Sequence, residues 1–119
     1  MYLNCHSFFS FKYGTLSPAH LLIEAEKNNV RSLALTDINN TSGIPDFVRR
    51  CERNKINPIA GIEFRNGTEI KYIGLAQNNE GFRELNDFLS VYIENKELFP
   101  IVAPSFNECY IIYQFSHPL

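Results

Sequence analysis

Three features of the 119-residue sequence predict an α/β fold. Short apolar runs alternate with amphipathic stretches of helical period, the run before Asp37 is apolar almost throughout, and an Asn-Gly pair marks one tight reversal. The first run, Tyr2 to Ser7, reads as a strand with Tyr2, Asn4 and His6 on one face and Leu3, Cys5 and Ser7 on the other. Ser17-Pro18 then starts a helix, with serine as N-cap and proline at the first helical position. Leu21, Leu22 and Ala25 form its inward side, and Asn28-Asn29 stops it.

Arg31 to Thr36 is the second strand, ending at Asp37. Beyond the polar turn 39–43, Ile44, Phe47, Val48 and Cys51 recur at i, i+3, i+4 and i+7, the stripe of an amphipathic helix. Pro45 falls in its first turn, where a missing N–H matters little. Pro58 to Phe64 is a third strand, and Asn66-Gly67, both tolerant of positive φ, folds Glu69 to Ala76 back against it. Asn78-Asn79-Glu80-Gly81 opens a third helix with Phe82, Leu85, Phe88, Leu89 and Tyr92 inward. A loop from Asn95 to Asn107, containing Pro100 and Pro104, leads to a last strand from Cys109 to Phe115. No helix follows to cover that strand, so the sheet would keep an apolar edge. The expectation is therefore a piece of a larger α/β barrel or sheet.

Composition narrows the function. Eleven Lys+Arg against 13 Asp+Glu give a net charge of −2, which excludes a basic phosphate-coating surface over the whole molecule. Ten Phe and six Tyr exclude disorder. No run approaches a membrane span, and Met1 to His6 carries no basic leader. Cys5, Cys51 and Cys109 are far apart and odd in number, so they read as reduced, mostly buried thiols of a cytoplasmic protein.

Ligands of parallel sheets collect at the carboxyl ends of the strands. The first strand ends at His6, the second at Asp37 and the third at Glu63, an imidazole and two carboxylates of the kinds that hold Zn, Mn or Fe. Taken singly, each has a plain structural role: a core histidine, a turn carboxylate, a solvated residue beside the hairpin. Ser7 and Ser10 lie in no nucleophile elbow, and Gly61 and Gly81 in no phosphate loop. Phe8, Phe9, Phe11, Lys12 and Tyr13 form an aromatic loop suited to packing against another part of a large protein, and the charges from Arg49 to Lys55 form a solvated helix face.

Four segments resemble the polymerase and histidinol phosphatase (PHP) domain family. Asn4-Cys5-His6-Ser7 is similar to its His-x-His-Ser motif, and Leu33-Ala34-Leu35-Thr36-Asp37-Ile38-Asn39-Asn40 to its A-L-T-D-H-x-N motif. Lys55 to Glu63 resembles G-I-K-P-I-x-G-x-E, and Ile73 to Leu85 resembles L-L-A-x-N-x-x-G-Y-x-N-L. The last is typical of the PHP domain at the amino terminus of bacterial DNA polymerase III alpha subunits. The resemblance implies a partial, distorted PHP-type (β/α) barrel of mostly parallel strands with one β-hairpin. Residues 1–119 would be the N-terminal portion of a single such domain, with little diagnostic sequence after about 95.

The family's metal-ligand positions fall on Asn4, His6, Asp37, Ile38 and Glu63. His6, Asp37 and Glu63 keep ligand chemistry, whereas Asn4 and Ile38 stand where the family pattern has histidines. Asparagine offers a neutral carbonyl and isoleucine offers nothing, so the implied cluster is depleted. His20 on the first helix and His117 near the end belong to no motif. The expectation is a scaffold without catalytic residues or a cofactor of its own. It would sit in a DNA-synthesising parent that uses Mg, packing on the rest of the alpha subunit, with a proofreading subunit as a further implied partner and DNA reached through the parent. The alternative is a stand-alone PHP phosphoesterase that binds Zn or Mn.

Overall fold

The structure is a computed structural model that describes residues 2–5 and 18–113, with side chains from His20 to Tyr113. Its elements follow the expected order: β1 (Tyr2–Cys5), α1 (Pro18–Lys27), β2 (Ser32–Ile38), α2 (Ile44–Arg53), β3 (Asn57–Asn66), β4 (Glu69–Ala76), α3 (Asn79–Glu94) and β5 (Cys109–Ile112). They build one five-stranded sheet of order β1-β2-β3-β4-β5. β1, β2 and β3 pair in parallel, β4 returns antiparallel to β3, and β5 is antiparallel to β4. Only β4 is therefore reversed, which is the mostly parallel arrangement with one hairpin that the sequence predicts. Ser17, the aromatic loop 8–13 and Phe115 lie outside the described residues.

All three helices cover one face of the sheet. Register places Leu33 and Leu35 beside Pro58 and Ala60, and Ile62 and Phe64 beside Gly74 and Tyr72. On that face α1 and α2 contribute Leu22, Ala25, Ile44, Phe47 and Cys51 to a mainly aliphatic cluster closed by Ile56. α3 contributes Leu85 and Leu89 to a second, aromatic cluster built on Ile62, Phe64, Tyr72 and Phe99. Phe82, the first apolar residue of α3, packs on the first cluster instead. The opposite face carries Thr36, Ile38, Glu63, Ile73 and Ile112 by the same alternation.

The helices end in one shared way that the sequence only partly signals. Asn29, Lys55 and Lys96 adopt φ of 57°, 57° and 52° just past their helices. The following N–H groups of Val30, Ile56 and Glu97 bond back to the carbonyls of Ala25, Cys51 and Tyr92 at 2.9–3.0 Å. This is the Schellman closure, made here without glycine at the left-handed position. At the other end of α3, the Asn78 side chain accepts the Gly81 N–H at 2.9 Å, as the Asn-Asn-Glu-Gly signal predicts.

Gly81 has a packing role. A Cβ there would lie 2.0 Å from the Glu108 carbonyl oxygen, so only glycine lets the helix start approach the backbone before β5. The adjacent Glu84 carboxylate accepts the N–H groups of Asn107 and Glu108 at 2.9 and 2.8 Å, fixing the entry to β5.

The hairpin corrects one sequence expectation. Asn66 still pairs with Glu69, so the turn residues are Gly67 and Thr68, with Gly67 at φ 62°. The Asn66 amide is left to serve a different segment. It donates to the Phe99 carbonyl at 3.0 Å and accepts the Phe99 N–H at 2.8 Å. The hairpin end thus clamps the loop between α3 and β5, and Phe99 reaches the rings of Phe64, Phe88 and Tyr92.

Candidate functional site at the carboxyl ends of the strands

The rim where β2 ends beside β3 holds two of the polar groups singled out in the sequence. Asp37 and Glu63 are both buried, at 1% and 0% exposure, which excludes the solvated role for Glu63. Cross-strand register separates them. Asp37 stands opposite Ile62, and Glu63 opposite Ile38 on one side and Ile73 on the other. Because side chains alternate along a strand, Asp37 belongs to the helix-covered face and Glu63 to the other. β3 also continues three residues past Glu63 to Asn66, so that carboxylate lies within the strand and level with the end of β2. His6 and the side chain of Asn4 lie outside the described residues.

The neighbours of Glu63 are informative. Arg65 Nε donates to Glu63 Oε2, and the two side chains are 9% and 0% exposed. A guanidinium is a permanent cation, and burial strengthens its hold on a carboxylate. Across the strands, the two isoleucines flank the same carboxylate with apolar surface. Alternation could have found Arg65 from the sequence, because residue i+2 on a strand shares the face of residue i.

A second unanticipated residue holds Arg65 in place. Asn39, at φ 47°, donates from Nδ2 to the Arg65 carbonyl and accepts the Arg65 N–H through Oδ1, both at 3.0 Å. Its own N–H bonds to the Glu63 carbonyl at 3.0 Å. The left-handed backbone that asparagine tolerates turns the chain at the end of β2 so that its side-chain amide holds Arg65 while its backbone N–H holds Glu63. Asn39 and Asn66 are thus paired clamps of one kind, at successive bends of the same rim.

The described residues by themselves fit a catalytic metal poorly. A zinc- or manganese-like centre needs several imidazole or carboxylate donors converging from one side. Among the described residues no group of three or more His, Cys, Asp or Glu converges in that way. Glu63 faces Ile38 where the family pattern has histidine, and one of its oxygens is engaged by arginine. A groove of about 720 Å³ lies away from this rim. It is lined by Ile59, Leu75, Ala76, Gln77 and the β5 residues Tyr110 to Ile112, and none of these supplies a carboxylate, imidazole or thiol.

The two described thiols, Cys51 and Cys109, are inert by environment. Burial, then the charge of Glu52, pushes Cys51 up to about 12, and burial, then Glu84 and Glu108, pushes Cys109 up to about 11. Cys109 Sγ donates to the Gly81 carbonyl at 3.1 Å. Neither supplies a thiolate for metal or nucleophilic chemistry near neutral pH.

Sheet order, parallel β1–β3 and buried polar groups at the strand ends define an α/β domain of the kind that gathers polar groups along one rim. The chain belongs to the PHP domain family, whose model matches residues 3–114. It is 36% identical over 104 residues to the DNA polymerase III subunit alpha of Staphylococcus epidermidis, covering 84% of this chain and 10% of that protein. It is 34% identical over 97 residues to the subunit of the same name from Ureaplasma parvum, covering 80% and 10%. The chain therefore spans about a tenth of the length of the curated relatives it matches.

Among solved structures, an amidohydrolase from Chromobacterium violaceum, with bound sulfate and no metal, matches with a TM-score of 0.61 at 26% identity, over 79% of this chain and 33% of that one. A protein from Bifidobacterium adolescentis, assigned as a metal-dependent phosphoesterase, matches at 0.60 and 20% identity, over 79% and 32%. The latter shows a shared fold. None of the described helices is long and apolar enough to cross a membrane.

Proposed function

We propose that this chain is the amino-terminal PHP portion of a DNA polymerase III alpha-type subunit and serves there as a scaffold without hydrolytic activity of its own. The observation that carries the second part is the Glu63–Arg65 pair, with Ile38 in register beside it. Kinship with alpha subunits from several bacteria supports the first part. On this reading His6, Asp37 and Glu63 are remnants of a metal-site pattern from which Asn4 and Ile38 have removed donors. Glu63 has become one half of a buried ion pair, a structural use of a former ligand.

The parent would carry out templated addition of nucleotides to a DNA 3′ end during replication, with Mg held by carboxylates elsewhere in the polypeptide. The remainder of that subunit is the partner of this domain, with a proofreading subunit and DNA as contacts of the whole. The competing phosphoesterase would need a metal-bound hydroxide, for which the described residues of the rim bring too few donors together.

Metal analysis and phosphodiester hydrolysis of the purified protein test this reading. The expected result is Zn and Mn well below one equivalent and no hydrolysis above buffer when either metal is added. Stoichiometric metal that is lost in Glu63→Gln, together with hydrolysis lost in the same variant, would establish the phosphoesterase instead.

A further inference from the structure

The loop between α3 and β5 depends on one side chain that is chemically labile by its sequence position. Leu98, Ile101 and Val102 are 77%, 80% and 71% exposed, so they contribute little burial. From Leu98 to Val102, among the described residues, the loop is tied down through Phe99. Its ring packs on Phe64, Phe88 and Tyr92, and the Asn66 amide holds both of its backbone groups. That amide belongs to the single Asn-Gly pair of the sequence. Asparagine before glycine is the pair most prone to spontaneous deamidation, because no side chain on the second residue shields its backbone nitrogen from the asparagine Cγ. Gly67 is exposed at φ 62°, and Asn66 is half-buried, so water reaches the pair. The clamp opposes the reaction. Ring closure makes Cγ tetrahedral and expels Nδ2, so the amide must first give up its bonds to the Phe99 carbonyl and N–H.

We propose that Asn66-Gly67 is a modification site gated by Phe99, at which deamidation permanently releases the loop. The Gly67 backbone nitrogen attacks Asn66 Cγ, the Cγ–Nδ2 bond breaks, and ammonia departs with the Gly67 proton. Water then opens the succinimide at either carbonyl, leaving aspartate or isoaspartate at position 66. Either product carries a carboxylate, which accepts hydrogen bonds but donates none near neutral pH. The Phe99 carbonyl therefore loses its donor and faces an anion. Isoaspartate also adds a backbone carbon at the end of β3, where Asn66 pairs with Glu69. Neither product re-forms the clamp, so release runs one way. The Asn39 clamp and the Glu84 contacts at the entry to β5 involve other residues and persist.

Peptide mapping of the intact polypeptide during incubation in mildly alkaline buffer tests the proposal. Cleavage after Arg65 and Lys71 isolates residues 66–71, and replacement of the amide nitrogen by oxygen shifts their mass. In the native protein Asn66 should deamidate about tenfold more slowly than in a synthetic peptide of residues 63–71, the protection that two hydrogen bonds supply. Phe99→Leu, which shrinks the ring's seat, should speed the reaction several-fold while amide exchange in α1 and α2 stays native. Asn66→Asp, which reproduces one product, should speed exchange across 96–106 several-fold and leave α1 and α2 unchanged. Equal rates in the native protein and the peptide overturn the gating. An Asn66→Asp protein with native exchange across 96–106 overturns the release. The first and third measurements involve no substitution at Phe99, so they decide whatever the fold of that variant.

Discussion

The two halves of the sheet complete their cores in different ways. In the parallel half, α1 and α2 close a mainly aliphatic cluster on β2 and the start of β3, and every large buried residue there comes from a regular element or its cap. In the antiparallel half α3 covers only part of β3 and β4, and the gap is filled by Phe99 from a loop. A helix holds its side chains by backbone hydrogen bonds of its own, whereas a loop must borrow them. Here the lender is Asn66. The difference teaches that the second half depends on a single polar side chain for its hydrophobic completion, and that the same device leaves apolar groups facing water.

Four measurements would break or sharpen this contrast. The largest effect belongs to β3, which both halves share. Arg65→Ala removes the cation from a buried carboxylate and should lower stability by about 3–5 kcal/mol, read by urea unfolding. A loss below about 1 kcal/mol would show that the pair is incidental. Next, Asn66→Ala deletes two hydrogen bonds to Phe99 and should remove about 1–3 kcal/mol. Its signature is regional, with faster amide exchange across 96–106 and unchanged exchange in α1 and α2.

The parallel half has its own lever in Cys51. Its folded-state value is raised from 9.0 to about 12, so the unfolded chain ionises first as the solution becomes alkaline. The stabilisation is complete below about pH 9 and falls by about 1.4 kcal/mol per pH unit above it, until the folded thiol also ionises. Cys51→Ala should flatten that alkaline limb of the stability profile while lowering stability at neutral pH. The smallest effect is expected at Tyr72, whose hydroxyl is buried with no hydrogen-bond partner among the described residues. Tyr72→Phe should leave the melting temperature unchanged or slightly raised, since it removes an unsatisfied polar group. A loss above about 1 kcal/mol would reveal a partner for that hydroxyl.

Much of the fold is legible in the sequence because its signals are local. The stripe Ile44, Phe47, Val48 and Cys51 specifies α2, and Asn78 to Gly81 specifies the start of α3. The hairpin is legible in its strands but not in its turn, which falls one residue later than the Asn-Gly pair suggests, because Asn66 and Gly67 are both good turn residues. What decides between them is Phe99, 33 positions away along the chain. The candidate site is less legible. The sequence brings Asp37 and Glu63 to one rim, and the rim exists, but the register of β2 on β3 sets them on opposite faces. A shift of one residue would have placed them together, and no local propensity encodes that shift.

By itself the sequence determined the order of strands and helices and membership in a family, since periodicity, caps and motif spacing are properties of neighbouring residues. Only the tertiary structure decided that Glu63 is held by Arg65, that Asn39 and Asn66 act as clamps, and that Leu98, Ile101 and Val102 are left facing water. Those outcomes depend on cross-strand register and on a loop docking across the hairpin end, where residues distant in sequence compete for the same hydrogen bonds and the same buried space.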